Sequence, residues 1–131
     1  MESFNEINKL HNSSDFKLLS YFSVLESLLT HKPKDSGDSI TRQIKSKIPL
    51  INNRLSSPID LKLFFDQGNE DTIITKLYGL RSSIAHGERI TKVEPILKSK
   101  LNVLVFMEHI VKEFICQALL EPQLFTDLKR C

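Results

Sequence analysis

Glycine and cysteine are both scarce in this 131-residue chain, at 4 and 2 residues, and each shortage excludes something. With so little glycine, the paired turn signals that close β-hairpins are missing. The two cysteines, Cys116 in an apolar stretch and Cys131 at the final position, make neither a disulfide framework nor a metal-ligand spacing, so two free thiols are expected. No run of about 18 apolar residues occurs, and no basic segment followed by an apolar one opens the chain. The sequence therefore offers no membrane span and no signal peptide, and the expected location is the cytoplasm. Neither sign of charge dominates: 18 Lys and Arg against 16 Asp and Glu leave +2, too small an excess to argue alone for nucleic acid. Internal repeats and low-complexity stretches are also absent.

What is present is helical periodicity. At 40% hydrophobic residues the chain can bury one core, so a single domain over residues 1–131 is expected. Apolar residues recur at intervals of three and four, which predicts an all-α protein of four to six helices. Phe4, Ile7 and Leu10 mark a short helix within 1–11. Ser13, Ser14 and Asp15 offer caps for a stronger helix reaching about residue 29. Its apolar face is Phe16, Leu18, Leu19, Phe22, Leu25, Leu28 and Leu29, and Ser20, Ser23 and Ser27 form a stripe of small residues.

Residues 31–38 read as a loop, with Asp38 or Ser39 as the next cap. A helix follows over 40–55, in which Pro49 is expected to cause a kink or a split. The connection 56–68 includes one helical turn at 61–65. Gly68 and Asn69 then precede Glu70 and Asp71, a cap followed by acids where the helix dipole favours them. That helix runs over 70–86 and stops at Gly87, a residue suited to the left-handed conformation that often ends helices. Thr91 to Glu94 match a capping box, with Pro95 tolerable in the first turn, so the last helix is predicted over 91–120, ending before Pro122. It is apolar over most of its circumference, hence central in its domain or shared with a partner.

The candidate functional residues lie at the end of the helix over 70–86. Arg81 and His86 stand five positions apart. Arginine carries a permanent forked charge suited to phosphate, and histidine exchanges protons near neutrality. Together they are a minimal kit for cleaving RNA without a metal. On a regular helix the core stripe is Ile73, Leu77, Leu80 and Ile84, with Arg81 about 80° and His86 about 220° round from it. The pair brackets a face carrying Tyr78, Ser82 and Ala85. Its two members diverge by about 140°, which makes one chain a poor active site by itself. Two copies about a two-fold axis would gather two arginines and two histidines at one cleft.

The stretch from Leu77 through Tyr78, Leu80-Arg81-Ser82 and His86-Gly87 resembles the signature of the HEPN superfamily, and within it the Apea-like group. Leu25-Glu26-Ser27-Leu28-Leu29 and Asp38 to Gln43 resemble the group's earlier helices, so the likeness covers roughly residues 14–120. It implies an up-and-down helical bundle that forms a homodimer along the motif helices, and a metal-independent endoribonuclease that uses no cofactor. RNA would be cut by attack of its own 2′-hydroxyl, with His86 as acid or base, Arg81 stabilising the phosphoryl charge and Ser82 orienting either group. Relatives of this kind serve as toxins, in antiviral defence or in RNA processing, so an antitoxin or other regulatory protein is a further partner the likeness admits. Ser82 stands where many active members carry Asn, Asp or His. Glu88 occupies the place that is tyrosine in nucleotide-modifying members.

The same residues admit plainer roles. His86 suits the negative end of a helix, and Arg81 a surface ion pair. Glu26, an acid amid the apolar part of the early helix, is expected to reach water from a border position, in preference to pairing with a cation such as Arg81. His11, His31 and His109 show no metal-ligand spacing, and Lys32 and Lys34 read as solvated loop charge. Tyr78 is expected at a helix interface. The second reading of the chain is accordingly a nuclease-silent helical interaction module, for which the Apea-like resemblance admits a place as the C-terminal part of a larger protein.

Overall fold

The computed structural model describes residues 6–7, 15–31, 39–65 and 68–131. It is an all-helical bundle, with no strand among the described residues. Glu6 and Ile7 are helical, and Ile7 is buried in the core; the remainder of the helix expected over 1–11 lies outside the described residues, as do His11, Lys32 and Lys34. The helices with described ends are α1 (Asp15–Leu29), α2 (Ile40–Asn52), α3 (Leu61–Phe64), α4 (Glu70–Ala85), α5 (Lys100–Leu120) and α6 (Pro122–Arg130), with a 3-10 turn at Pro95–Leu97.

Local signals account for most of these bounds. The side chains of Ser39, Asn69 and Ser99 each accept a backbone N–H three residues on, at Arg42, Thr72 and Asn102, which satisfies donors that a helix start leaves open. Helix α2 does not split at Pro49. It continues one turn further to Asn52, and the Asn53 N–H donates back to the Pro49 carbonyl at 3.0 Å. It stops three residues short of the expected end.

The segment after α4 departs most from expectation. Glu94 makes no capping hydrogen bond, and its carboxylate instead lies 3.8 Å from the Lys76 ammonium. Lys98, at φ +68°, breaks the chain direction before α5 begins at Lys100, nine residues later than predicted. Pro122 does not end the helical part either. It opens α6, where a missing N–H is harmless.

Residues 86–99 therefore form a return segment that runs back along α4. Lys76 meets Glu94 in mid-helix, and Gly68, just before α4, sits so close to Ile96 that a Cβ there would collide with it. Helix α5 consequently starts at the same end of the bundle as α4. It also starts beside the head of α1, because Lys100 pairs with Asp15 at 2.7 Å. The up-and-down alternation expected throughout gives way here, and α1, α4 and α5 share one direction.

The core lies where these helices converge. Phe22 and Leu25 of α1, Ile48 of α2, Leu61 of α3, Leu77 of α4 and Phe106 of α5 surround one small void of about 10 Å³, too small for a ligand. Helix α5 is central, as its grease predicted: Val103, Leu104, Phe106, Met107, Ile110, Val111 and Phe114 are all buried. Two parts of the expected α1 face change. Phe16 is 66% exposed, and Tyr21, outside the predicted stripe, is fully buried. Burial and the nearby Glu108 carboxylate push the Tyr21 hydroxyl up to about 12, so it is a neutral core group at any ordinary pH. No helix among the described residues is long and apolar enough to cross a membrane.

Candidate active site at the end of helix α4

Helix α4 lies against α1 and α2 and presents Ile73, Ile74, Leu77, Tyr78 and Leu80 inward. Ile84, the last member of the predicted stripe, is half-buried. Tyr78 packs at the α1 interface as expected, its ring meeting Phe22 edge to face at 5.3 Å. Aromatic edges carry partial positive charge and faces negative, which makes this a favoured geometry. Tyr78 thereby fixes the rotation of α4 relative to α1.

That rotation decides where Arg81 points. One turn beyond Tyr78, its guanidinium reaches across to α1 and meets Glu26 in a two-pronged contact, Nε to Oε2 at 3.2 Å and Nη2 to Oε1 at 3.1 Å. The Tyr78 hydroxyl lies 3.4 Å from Glu26 Oε2 and donates to it. Burial first, and the Glu26 charge second, hold the Tyr78 hydroxyl far above its ordinary value, so it remains a donor. Glu26 is not a border residue reaching water. Its side chain is only 13% exposed, and it takes the alternative given second place in the sequence, a partner of Arg81.

The Arg81 side chain remains 33% exposed. Its Nη1 makes no hydrogen bond among the described residues, and a guanidinium carries five N–H donors, so part of the fork is open to a further acceptor. Ser82 follows Arg81 and is exposed, and its carbonyl accepts the His86 N–H at 3.0 Å. His86 is the C-cap of α4, and Gly87 at φ +78° turns the chain out of the helix. The imidazole is exposed.

The three candidate residues thus share one helix end without converging within a single chain. Arg81 turns toward α1, while His86, about 140° further round the helix, opens away from it. The sequence points to Arg81, Ser82 and His86, and ranks the pairing of Glu26 with Arg81 second to a border position. Its only signal was an acid isolated among leucines.

The other histidines fall elsewhere. His31 Nδ1 lies 2.8 Å from the Lys129 carbonyl and links the end of α1 to α6. His109 stacks on Phe64 at 5.9 Å. Among the described residues no group of three or more His, Cys, Asp or Glu is placed to hold a metal ion. Cys116 and Cys131 are free and exposed. No family model matches this chain, and comparison with curated proteins and with solved structures finds no match.

Proposed function

We propose that this protein is a metal-independent endoribonuclease of HEPN type, acting as a homodimer in which the ends of two α4 helices meet. The observation that carries the reading is the contrast at that helix end. Arg81 is held by Glu26 with part of its fork still open, while His86 stands exposed at the same helix end. A held guanidinium loses little freedom on meeting a phosphate, and an exposed imidazole can exchange protons with a ribose hydroxyl.

In this reading one His86 takes the 2′-hydroxyl proton as the oxygen attacks the adjacent phosphorus, and the second copy's His86 protonates the departing 5′-oxygen. The products are a cyclic phosphate and a free 5′-hydroxyl. Arg81 stabilises the charge that gathers on the non-bridging oxygens, and Ser82 orients the pair. Divergence of Arg81 and His86 within one chain is what makes the second copy necessary.

The test is incubation of the purified protein with labelled RNA in the presence of a chelator, alongside a measurement of its mass in solution. Cleavage by the native chain, lost in His86→Ala, supports the reading. A well-folded protein inert toward diverse RNAs removes it. One observation favours a second reading, a nuclease-silent interaction module: the carboxylate that holds Arg81 also neutralises it.

A further inference from the structure

The return segment 86–99 leaves an open groove against α4. We infer that this groove is a binding channel for the ribose-phosphate backbone of single-stranded RNA, leading along α4 to His86. The inference rests on the ribonuclease reading and adds the surface that would hold its substrate.

Two adjoining cavities of about 430 and 370 Å³ make up the groove, and Ile90, Lys92 and Val93 line both. Each falls within the roughly 300–1,000 Å³ of ordinary ligand sites. Lysines dominate their charge, with Lys76 and Lys92 in the first and Lys92, Lys98 and Lys100 in the second, against Glu94 as the acid. Lys76 spends its charge on Glu94, and Lys100 on Asp15. Lys92, where the cavities join, has no ion-pair partner among the described residues and is exposed. An uncompensated cation in the middle of the groove suits a polyanion.

The helical wall of the groove carries three small residues beside Lys76 and Leu80. Thr75, Gly79 and Ser83 line it at intervals of four, and on a regular helix His86 falls within about 20° of Thr75, on that same face. Gly79 is the informative member. It has no left-handed backbone, and a Cβ added to it would meet nothing within 4 Å. Glycine inside a helix costs roughly 1 kcal/mol relative to alanine, and no turn or close contact here requires it. Its effect is to let an occupant approach the helix backbone. A second copy of this chain is the less fitting occupant, because a two-fold contact through this face would bring two uncompensated Lys92 side chains into one interface.

Binding of a 5′-labelled single-stranded RNA oligonucleotide to His86→Ala, followed by fluorescence anisotropy across a salt series, tests the channel without interference from cleavage. Lys92→Ala in that background should weaken binding several-fold and reduce the salt slope by about 0.7. Gly79→Leu should lose at least tenfold in affinity while retaining the parent's helicity and melting temperature, and Gly79→Ala should raise the melting temperature. If Lys92→Glu and Gly79→Leu bind RNA as tightly as the parent, the channel is elsewhere and this inference fails, while cleavage by the native chain still upholds the enzyme. Conversion of a dimer to a monomer by Gly79→Leu would also overturn it, by showing the face to be a subunit contact. Cleavage absent with mutation-sensitive binding retained would remove the ribonuclease reading and leave the channel.

Discussion

Glu26 holds Arg81 by both prongs of the guanidinium, and the two residues are 55 positions apart in the chain. A carboxylate from helix α1 therefore sets the aim of the residue on which the proposed chemistry depends. Single variants at either position leave a partly buried charge unpaired. Each should cost about 1–2 kcal/mol in urea denaturation, the partial exposure of Arg81 keeping the figure low. The double variant Glu26→Gln with Arg81→Met should lose less than the sum of the two, since the partners are removed together. Strict additivity would show that the contact contributes nothing in solution.

Activity should separate the two named residues of the motif by kind. His86→Ala removes a proton-transfer group and should lower the cleavage rate by about 10²–10⁴ while leaving melting unchanged, since the imidazole is exposed. Arg81→Lys keeps the charge but not the fork, so it should lose both cleavage and part of the Glu26 contact. A lysine variant with native rate and native stability would mean that only charge matters there.

Gly87 tests the helix end without touching a side chain. Its φ of +78° is strained for any L residue, and nothing lies within 4 Å of where a Cβ would stand. Gly87→Ala should therefore cost about 1 kcal/mol through backbone strain alone. Because His86 is the cap immediately before it, cleavage should fall further than the stability change explains. Equal losses in a Gly87→Asn variant, which tolerates the left-handed region better, would count against that account.

Glu70, first in α4, gives a pH test with a defined sign. One of its oxygens is buried without a hydrogen-bond partner among the described residues, and burial raises its carboxyl above the ordinary value. The folded chain then holds this proton more tightly than the unfolded chain does. The contribution is complete below the unfolded glutamate value, about 4.3, and is lost as pH rises through the folded one. Glu70→Gln should thus gain stability over the native chain at pH 7 compared with pH 4. A constant difference across that range would exclude the effect.

What was legible in the sequence was what is locally encoded. Helix α4 was readable at both ends because Asn69 and Gly87 act within one turn of the residues they cap or stop. The same locality misled at residues 91–94, where the cap pattern was present but Ser99, nearer the continuous apolar run, starts α5. Pro122 reads as a stop, yet proline is equally suited to a first turn, and α6 begins on it. Glu26 was the hardest to place. Its role comes from the rotation of α4 against α1, set by the Phe22 and Tyr78 rings, which periodicity within either helix does not specify.

The return of the chain along α4 also has a kinetic consequence. It ties Lys100 to Asp15 across 85 positions, while His31 reaches Lys129 across 98. A bundle of neighbouring hairpins collects its contacts early, but here α1 and α6 meet only after nearly the whole chain has been gathered, and closing such large loops is entropically expensive. Refolding should accordingly be slower than the microsecond-to-millisecond range of simple helical bundles.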